Sequence, residues 1–311
     1  MSVLAKVTKG RVKKPHLVLI YGPDGVGKSS FGASAPNPIF LGSEDGTNEI
    51  DVNRLPPVES WIEIIQSLSD LINDPHDFKT LVIDSLDWIE PILNKHLCRE
   101  HRVTSIEYVG GGYGKGYVEA LNQWGAMQER LNLLRAKRNM NIILIAHSQV
   151  ITFNDPNANA SYDRYEMKLY KKASSLWREY VDTVFFANFE TFAKKDGGKM
   201  RAYGDGARVM YSERRPAFDA KNRSGLPFIL PLSWQDYQSA YDQPKKDDCT
   251  KVIAEITKLL ESSNDEKFNE VVRETSAKAA ANIVQLNAIL NRLKIRLAEK
   301  EQANGEQNQA G

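Results

Sequence analysis

The sequence has few cysteines and no long hydrophobic run. Its two cysteines, Cys98 and Cys249, are too few for a disulfide framework and lack the spacing of a metal site. The longest apolar runs are five or six residues, whereas a membrane-spanning helix needs about 20. The chain starts with a basic stretch that no apolar segment follows, so we expect no secretory signal. These absences predict a protein of the reducing cytoplasm with no membrane partner.

The chain also lacks an overall excess of either charge. Its 41 basic and 40 acidic residues give a net charge of +1, and a hydrophobic fraction of 41% excludes a wholly disordered or collagen-like protein. Two segments are nevertheless basic: residues 1–15 carry five basic and no acidic side chains, and residues 194–223 carry nine basic against four acidic. Local positive charge can hold a polyanion, although an ordinary solvated surface remains the alternative.

Four short apolar runs alternate with helical patterns in the first half of the chain. The runs are apolar throughout rather than alternating, which is typical of strands covered on both faces. The helical patterns place apolar residues on one face over 58–72 and 117–137. We therefore predict an α/β fold with a mostly parallel sheet flanked by helices. The predicted strands are 16–21, 38–41, 80–83 and 141–146.

The second half of the chain has a different pattern of predicted elements. Shorter predicted strands are expected to extend the sheet in the antiparallel direction, and two helices rich in Ala, Lys, Glu and Leu follow. The polar end of the chain, 301–311, is predicted to be disordered. The chain therefore divides into a basic arm (1–15), an α/β core (16–240), a helical segment (245–300) and this tail. The shorter strands are 181–189, 201–203, 207–212 and 227–230, and the helices are 245–260 and 267–300.

One motif carries a specific chemistry. Residues 22–29 match G-x-x-x-x-G-K-[ST], between a predicted strand and a predicted helix. Glycines let such a loop wrap a phosphate with its N–H groups pointing inward, and the positive end of the helix faces the anion. Lys28 would reach the β- and γ-phosphates, and the Ser29 hydroxyl suits Mg²⁺. The predicted nucleotide-binding residues are Gly22, Pro23, Asp24, Gly25, Val26, Gly27, Lys28, Ser29 and Ser30.

A nucleotide with Mg²⁺ needs a second acidic ligand at a strand end. Asp84 closes the run T-L-V-I-D and is the predicted ligand. Asp87 is a rival, but it lies past the strand and is expected to be a residue at the N-terminus of a helix. Ser85 directly follows Asp84, so the Asp-Glu pair of many P-loop ATPases is missing and the general base must lie elsewhere.

The ends of two other predicted strands supply further candidates. Glu44 follows the second strand and is the predicted general base, with Asp45 or a solvated turn as the alternative. The fourth strand ends in polar residues, and such positions face the ligand crevice of a parallel sheet. His147 or Gln149 could contact the γ-phosphate there, but a histidine that is satisfied at a strand end is an equal alternative.

The order of these parts over residues 15–235 resembles the core of RecA-type ATPases. The segment Asp219–Pro227 looks like the RecA segment in which two basic residues reach the ATP of the neighbouring subunit, and Lys221 and Arg223 stand in those two places. The chain is most similar to the phage core-only recombinases, compact annealing ATPases related to RecA. The resemblance implies ATP and Mg²⁺ as cofactors, with residues 16–240 as a RecA-like ATPase core in the host cytoplasm if the gene belongs to a phage.

The resemblance also implies a function: assembly of copies head to tail on single-stranded DNA, as a ring or filament, with DNA-stimulated hydrolysis. A replicative-helicase-like motor and a nucleotide-gated interaction protein without DNA are the alternatives. The helices over 245–300 are either a packing or oligomerisation element or a docking site for a single-strand-binding protein.

Two segments are candidates for the DNA loops that the resemblance implies. Residues 109–117 combine flexible glycines with tyrosines and one lysine, and residues 150–172 interleave aromatic and basic side chains. Aromatic rings can stack on bases while cations meet phosphates, although a mobile surface loop or lid is the alternative. The predicted DNA contacts are Tyr113, Lys115, Arg164, Lys168, Lys171 and Lys172.

Overall fold

The computed structural model describes residues 7, 13–42, 49–156, 160–190, 192–196, 199–203, 206–243, 246–261, 263, 266–279, 285–286, 288–294 and 296–297. The basic arm (apart from residues 7 and 13–15) and the polar tail lie outside these residues, as do Glu44 and Asp45. The chain forms two compact units, Met1–Tyr241 and Asp242–Gly311.

The first unit is built on one mixed, mostly parallel sheet. Among the described residues its strand order is β12-β10-β7-β1-β5-β4-β2-β3, with β11 paired to β7 and β6 paired to β5. Strands β2, β4 and β5 contain their predicted runs, and β1 begins one residue after the predicted start at residue 16, so the predicted α/β architecture is confirmed. The strands are β1 (Leu17–Gly22), β2 (Pro38–Gly42), β3 (Asn53–Arg54), β4 (Thr80–Asp84), β5 (Asn141–Phe153), β6 (Tyr162–Met167), β7 (Thr183–Phe189), β8 (Phe192–Asp196), β9 (Lys199–Tyr203), β10 (Arg208–Tyr211), β11 (Lys221–Asn222) and β12 (Ile229–Pro231).

Helices cover both faces of this sheet. The helix predicted over 58–72 begins at Trp61, directly after a capping box: the Ser60 hydroxyl accepts from the Glu63 backbone N–H, and the Glu63 carboxylate accepts from the Ser60 N–H. A short 3₁₀ helix, Ile106–Gly111, precedes α4. The α-helices are α1 (Lys28–Ala33), α2 (Trp61–Asn73), α3 (Leu86–Glu100), α4 (Lys115–Arg138), α5 (Lys171–Tyr180), α6 (Trp234–Asp242), α7 (Lys246–Glu261) and α8 (Glu266–Lys278).

The two faces of the sheet carry separate hydrophobic cores. Successive strand residues point to opposite faces, so Leu17 and Leu19 of β1 pack in one core and Val18 and Ile20 in the other. The first core lies under α2 to α5, where Trp124 meets Trp61 and Trp177 edge to face. The second lies under α1 and α6. Burial on both faces explains why the parallel strands are continuously apolar.

Three features of the second half of the core differ from the sequence expectation. Strand β7 pairs with β1 in parallel, while β10 and β12 are antiparallel as predicted. Strand β9 pairs with β8 in a separate hairpin and does not extend the main sheet. Strand β5 continues seven residues past the predicted end at Ala146, because its second half pairs with β6. Residues 150–153 and 162–167 therefore lie in paired strands, and residues 171–172 begin α5, where the sequence predicts a loop.

The second unit has a small core of its own. Ile256 and Leu260 of α7 pack with Val272 of α8 and with Leu286 and Leu290, which lie in later helical residues. The predicted helix over 267–300 is wrong as one element, because α8 ends at Lys278 and Ala279 lies in a turn. A single helix of that length would leave its apolar stripe without a partner, whereas a break lets the stripe pack on α7 and α8.

Candidate functional site: a phosphate loop and its surroundings

The loop between β1 and α1 has the backbone that its motif predicts. Gly25 and Gly27 have φ angles of +70° and +106°, a region in which glycine is unstrained. The side chain of Lys28 lies back across the loop, and its ammonium donates to the carbonyls of Gly22 (3.0 Å) and Pro23 (2.9 Å). Lys28 is only 5% exposed. A buried cation within a glycine loop at a helix N-terminus suits a phosphate group.

Ser29 and Asp84 meet at the carboxyl end of the sheet. The Ser29 hydroxyl donates to Asp84 Oδ2 at 2.6 Å, although the two residues lie 55 positions apart in the chain. Burial raises the pKa of the Asp84 carboxyl, and the hydrogen bond from Ser29 and the charge of Lys28 oppose that rise. A hydroxyl and a carboxylate side by side are oxygen ligands that Mg²⁺ accepts together with phosphate oxygens. The residues present therefore fit the nucleotide and the ion that the motif implies.

The first glycine of the loop is fixed by packing rather than by its φ angle. A Cβ atom at Gly22 would lie 2.1 Å from the carbonyl oxygen of Ala187, in the backbone of the neighbouring strand β7. At Gly25, in contrast, a Cβ atom would meet nothing within 4 Å. Glycine is therefore needed at position 22 because a side chain would not fit, and at position 25 because of the backbone conformation.

We expect Gly22→Ala to lower the free energy of unfolding by about 3 kcal/mol, since two central strands would have to move apart. Gly25→Ala, the matched control, should cost only about 1 kcal/mol, the penalty of the left-handed backbone for alanine. Urea denaturation of the two variants beside the wild type measures the difference. Equal losses at the two positions would contradict the packing at Gly22.

His147 stands beside the phosphate loop, held by Asp87, which the sequence suggested only as a rival Mg²⁺ ligand. In the sheet, His147 pairs with Gly22. Asp87, in the first turn of α3 as expected, accepts from the His147 backbone N–H at 2.9 Å and contacts Nδ1 at 2.8 Å. The other ring nitrogen, Nε2, lies 3.4 Å from the carboxylate of Asp24. No local spacing signals this pair, because 60 residues separate its members.

The pair shifts the protonation of both of its members. The hydrogen bond that His147 donates to Asp87 raises the pKa of His147 above its usual value, although burial opposes the shift. Burial alone would raise the pKa of Asp87, but the hydrogen bonds from His147 outweigh it and leave that pKa below its usual value. These contacts therefore stabilise the protonated form of His147 relative to a histidine in water.

Gln149 is exposed, and it donates only a long hydrogen bond, 3.5 Å, to the carbonyl of Met167. It occupies the antiparallel part of β5, opposite Glu166 of β6. The contact of Gln149 with a γ-phosphate stays a prediction. The role of Glu44 as general base also stays a prediction, because Glu44 lies outside the described residues.

The carboxylate of Asp219 contacts three arginine side chains, one of which lies on β6. Asp219 pairs with Arg164 at 2.9 Å and Arg214 at 3.2 Å, and it also bonds Arg178. The backbone N–H and carbonyl of Asp219 both bond the hydroxyl of Tyr21. The side chain of Arg164 is only 1% exposed, and its guanidinium lies 4.6 Å from the centre of the Phe153 ring. The structure therefore contradicts the prediction that Arg164 contacts DNA, since the side chain is buried against Asp219.

Lys221 and Arg223 have different surroundings. The ammonium of Lys221 donates to the carbonyls of Arg178 (2.8 Å), Glu179 (2.9 Å) and Val181 (2.6 Å) at the end of α5. All three of its donors are thereby used within its own chain. The contact of Lys221 with a neighbour's nucleotide stays a prediction. Arg223, two residues on, is exposed.

The two predicted DNA segments lie against each other. Tyr117, in the first turn of α4, stacks on Tyr170 at the start of α5 with ring centres 4.4 Å apart and planes 19° from parallel. Within five residues of these two tyrosines in the chain lie exposed side chains that we call the tyrosine–lysine surface: Tyr113, Lys115, Lys168, Lys171 and Lys172. Tyr113 is fully exposed (100%) among glycines with positive φ angles.

Hydrogen bonds connect this surface to the phosphate loop. The backbone N–H of Lys168 donates to the carbonyl of His147 at 2.8 Å. The backbone N–H of Tyr170 donates to both carboxylate oxygens of Glu90, at 3.1 and 3.0 Å. Glu90 lies one turn after Asp87 on α3. The start of α5 is therefore attached both to the histidine beside the loop and to the helix that holds that histidine.

Comparison with known proteins places the core in one family and adds two weaker likenesses. The AAA domain family AAA_24 matches residues 14–224. The SPbeta prophage-derived uncharacterized protein YorG of Bacillus subtilis (strain 168) is 22% identical over 152 residues, which are 48% of this chain and 44% of that protein. The match thus spans less than half the length of this relative. The crystal structure of the RadB recombinase is 13% identical with a TM-score of 0.38, over 72% of this chain and 90% of that one.

Helices of the described part of the chain are too short or too polar to span a bilayer.

Proposed function

The chain belongs to the AAA domain family AAA_24, and we propose that it is an ATPase that assembles head to tail on single-stranded DNA and promotes annealing or strand exchange. The observation that carries the proposal is the hydrogen bond between the tyrosine–lysine surface and the residues beside the phosphate loop. The tyrosine–lysine surface suits single-stranded DNA, and it is attached through Lys168 to His147, beside the phosphate loop. Nucleotide binding can thereby change how this surface binds DNA, and DNA binding can change the affinity for the nucleotide.

Each part of the site has a role in this proposal. Lys28 neutralises the β- and γ-phosphates, and Ser29 and Asp84 hold Mg²⁺. When bound, the ion offsets phosphate charge in the transition state. Glu44 orients and deprotonates water. Arg223, exposed at the edge of the core, stabilises charge on the neighbouring protomer's nucleotide. Hydrolysis then depends on assembly, and such a head-to-tail interface gives rings or filaments.

The tyrosine–lysine surface has the composition of a single-strand platform. Stacked and exposed tyrosines offer faces to bases of any sequence, and the lysines meet the phosphates. Recognition of bases in duplex DNA would instead need a helix that enters the major groove. The prophage origin given in the name of YorG supports a phage-encoded source, and hence the host cytoplasm as the location.

The first test is ATP hydrolysis with and without single-stranded DNA, for the wild type and for Lys28→Ala. We expect DNA to stimulate the wild type and the variant to lose at least about 100-fold, the scale of losing one charge-stabilising group. Hydrolysis that ignores DNA would favour a nucleotide-gated interaction protein. Directional unwinding of a forked duplex would favour a helicase-like motor.

A matched pair of double variants tests the surface itself. Lys171→Ala/Lys172→Ala removes two charges from the tyrosine–lysine surface, and Lys79→Ala/Lys137→Ala removes two exposed charges near the opposite end of the parallel strands. The first pair should abolish most DNA stimulation and reduce the salt dependence of DNA binding, while the second should change neither. Equal effects of the two pairs would leave the tyrosine–lysine surface without a special role.

A further inference from the structure

Arg208, the first residue of β10, lies beside the phosphate loop. A Cβ atom placed on Gly27 would lie 3.2 Å from Nη1 of Arg208 and 3.7 Å from its Cδ. Gly27 directly precedes Lys28 and is the N-cap residue of α1. The fold therefore brings a further cation to the loop, and it is one that the sequence motif does not include.

The guanidinium of Arg208 has apolar neighbours and forms no ion pair within the part of the chain that the structure describes. Its Cζ lies 5.9 Å from the centre of the Phe189 ring. Leu232 also borders the loop, since its Cδ2 would lie 3.5 Å from a Cβ atom on Gly27, and its backbone N–H donates to the Arg208 carbonyl at 3.0 Å. Both apolar side chains are half-buried, whereas Arg208 is exposed. An exposed, flat cation thus lies over an apolar surface at the edge of the loop.

The strand order places Arg208 at the nucleoside end of the site. The phosphate loop follows β1, and Asp84 ends β4, two strands away on one side with β5 between them. Arg208 begins β10, two strands away on the other side with β7 between them. It pairs with Phe189 at the end of β7, which runs parallel to β1. Because Ser29 and Asp84 mark the end where the terminal phosphates and their ion belong, we expect the sugar and base to extend toward β10.

We propose that Arg208 holds the base of the bound nucleotide by stacking its planar guanidinium on one face of the ring, beside the apolar surface of Phe189 and Leu232. The inference rests on the proposed nucleotide site and extends it from the phosphates to the base. A guanidinium is flat and weakly hydrated, so it stacks on aromatic rings better than an ammonium does. A stacking contact meets the face of a base rather than its hydrogen-bonding edge, so this contact holds adenine and guanine alike.

Calorimetric binding of three probes to the full chain tests the inference without hydrolysis or DNA. The probes are ADP, GDP and inorganic tripolyphosphate, each with Mg²⁺, and the last has phosphates but no sugar or base. We expect Arg208→Ala to weaken ADP and GDP by the same factor, about tenfold, the scale of one base stacked on a side chain. Tripolyphosphate affinity should stay within about twofold of the wild type, because the phosphates keep their contacts. Unchanged tripolyphosphate binding also reports that the variant is folded.

Two further variants separate stacking from charge and from the general loss of an arginine. Arg208→Lys keeps the positive charge but not the planar group, so it should lose ADP affinity nearly as much as Arg208→Ala. This comparison needs only ADP, so it decides the question even if tripolyphosphate binds too weakly to titrate. Arg215→Ala is the matched control, since the Cζ of Arg215 lies 4.0 Å from the centre of the Phe228 ring. Phe228 packs on the core of the opposite face of the sheet, so ADP affinity should not change.

Four results would overturn the inference: no loss of ADP affinity in Arg208→Ala, an equal loss for ADP and tripolyphosphate, recovery of ADP affinity in Arg208→Lys, or an equal loss in Arg215→Ala. The second and third would assign Arg208 to a phosphate instead of the base. DNA-stimulated hydrolysis does not enter these measurements, so the proposed function can stand when the inference fails. Failure of the wild type to bind any of the probes would instead remove the proposed function, and this inference with it.

Discussion

Replacing Arg223 by alanine should lower DNA-stimulated hydrolysis by about 1,000-fold, the lower end of the range for a cation supplied across an interface. Arg223 is exposed and lies two residues beyond Lys221, whose ammonium is fixed on the carbonyls at the end of α5. Lys221 attaches the short strand β11 to the end of α5, and Arg223 is the exposed residue that follows this strand. Nucleotide binding by the separate protomers should not change, because in the proposed assembly Arg223 acts on the nucleotide of another copy.

Mixing two inactive variants tests whether the arginine acts across an interface. Protomers with Arg223→Ala keep a working phosphate loop, and protomers with Lys28→Ala keep the arginine. Their mixture should regain hydrolysis, because some interfaces then combine the intact halves. A chain with both substitutions, mixed with either variant, should regain less. Absence of recovery in the first mixture would show that Arg223 does not act in trans.

Replacing Asp219 by alanine should lower the free energy of unfolding by about 3–5 kcal/mol, the cost of leaving a buried charge without its partner. Arg164 is the buried charge, and Asp219 is the carboxylate that lies 2.9 Å from it. Arg178 and Arg214 would also be left near Arg164 without the shared anion. Urea denaturation measures the loss.

Two further variants isolate the cause of that loss. Asp163→Ala, next to Arg164 on β6, removes an exposed carboxylate bonded to Thr152, and it should cost no more than about 0.5 kcal/mol. Adding Arg164→Met to Asp219→Ala should recover part of the stability, because an apolar side chain can replace a buried ion pair. No recovery in this double variant would mean that the unpaired charge of Arg164 is not the source of the loss.

Local patterns were sufficient for the parallel part of the core. The four apolar runs became strands because each is buried on both faces, and burial of that kind leaves a continuous signature in the sequence. The phosphate loop was equally visible, since its glycines, lysine and serine must follow a strand and open a helix within eight residues. These features depend on neighbours in the chain, so one sequence contains all the information that they need.

Pairings between segments that are distant in the chain were not visible in the same way. The parallel pairing of β7 with β1 and the continuation of β5 into a hairpin are set by which strands meet across the sheet. The break after α8 follows from the apolar stripe that later residues bury against α7. Each depends on surfaces that the chain brings together only when it folds, and short-range propensity does not report them.

The amino-acid sequence by itself thus determined the central strands, the phosphate loop and the acidic strand end at Asp84. Only the tertiary structure decided which polar groups share a bond. It joined Asp87 to His147 across 60 positions, buried Arg164 against Asp219, and placed Lys221 on the end of α5. The physical reason is that a buried charge takes the nearest compatible partner in space, and nearness in space between distant residues is a property of the folded chain.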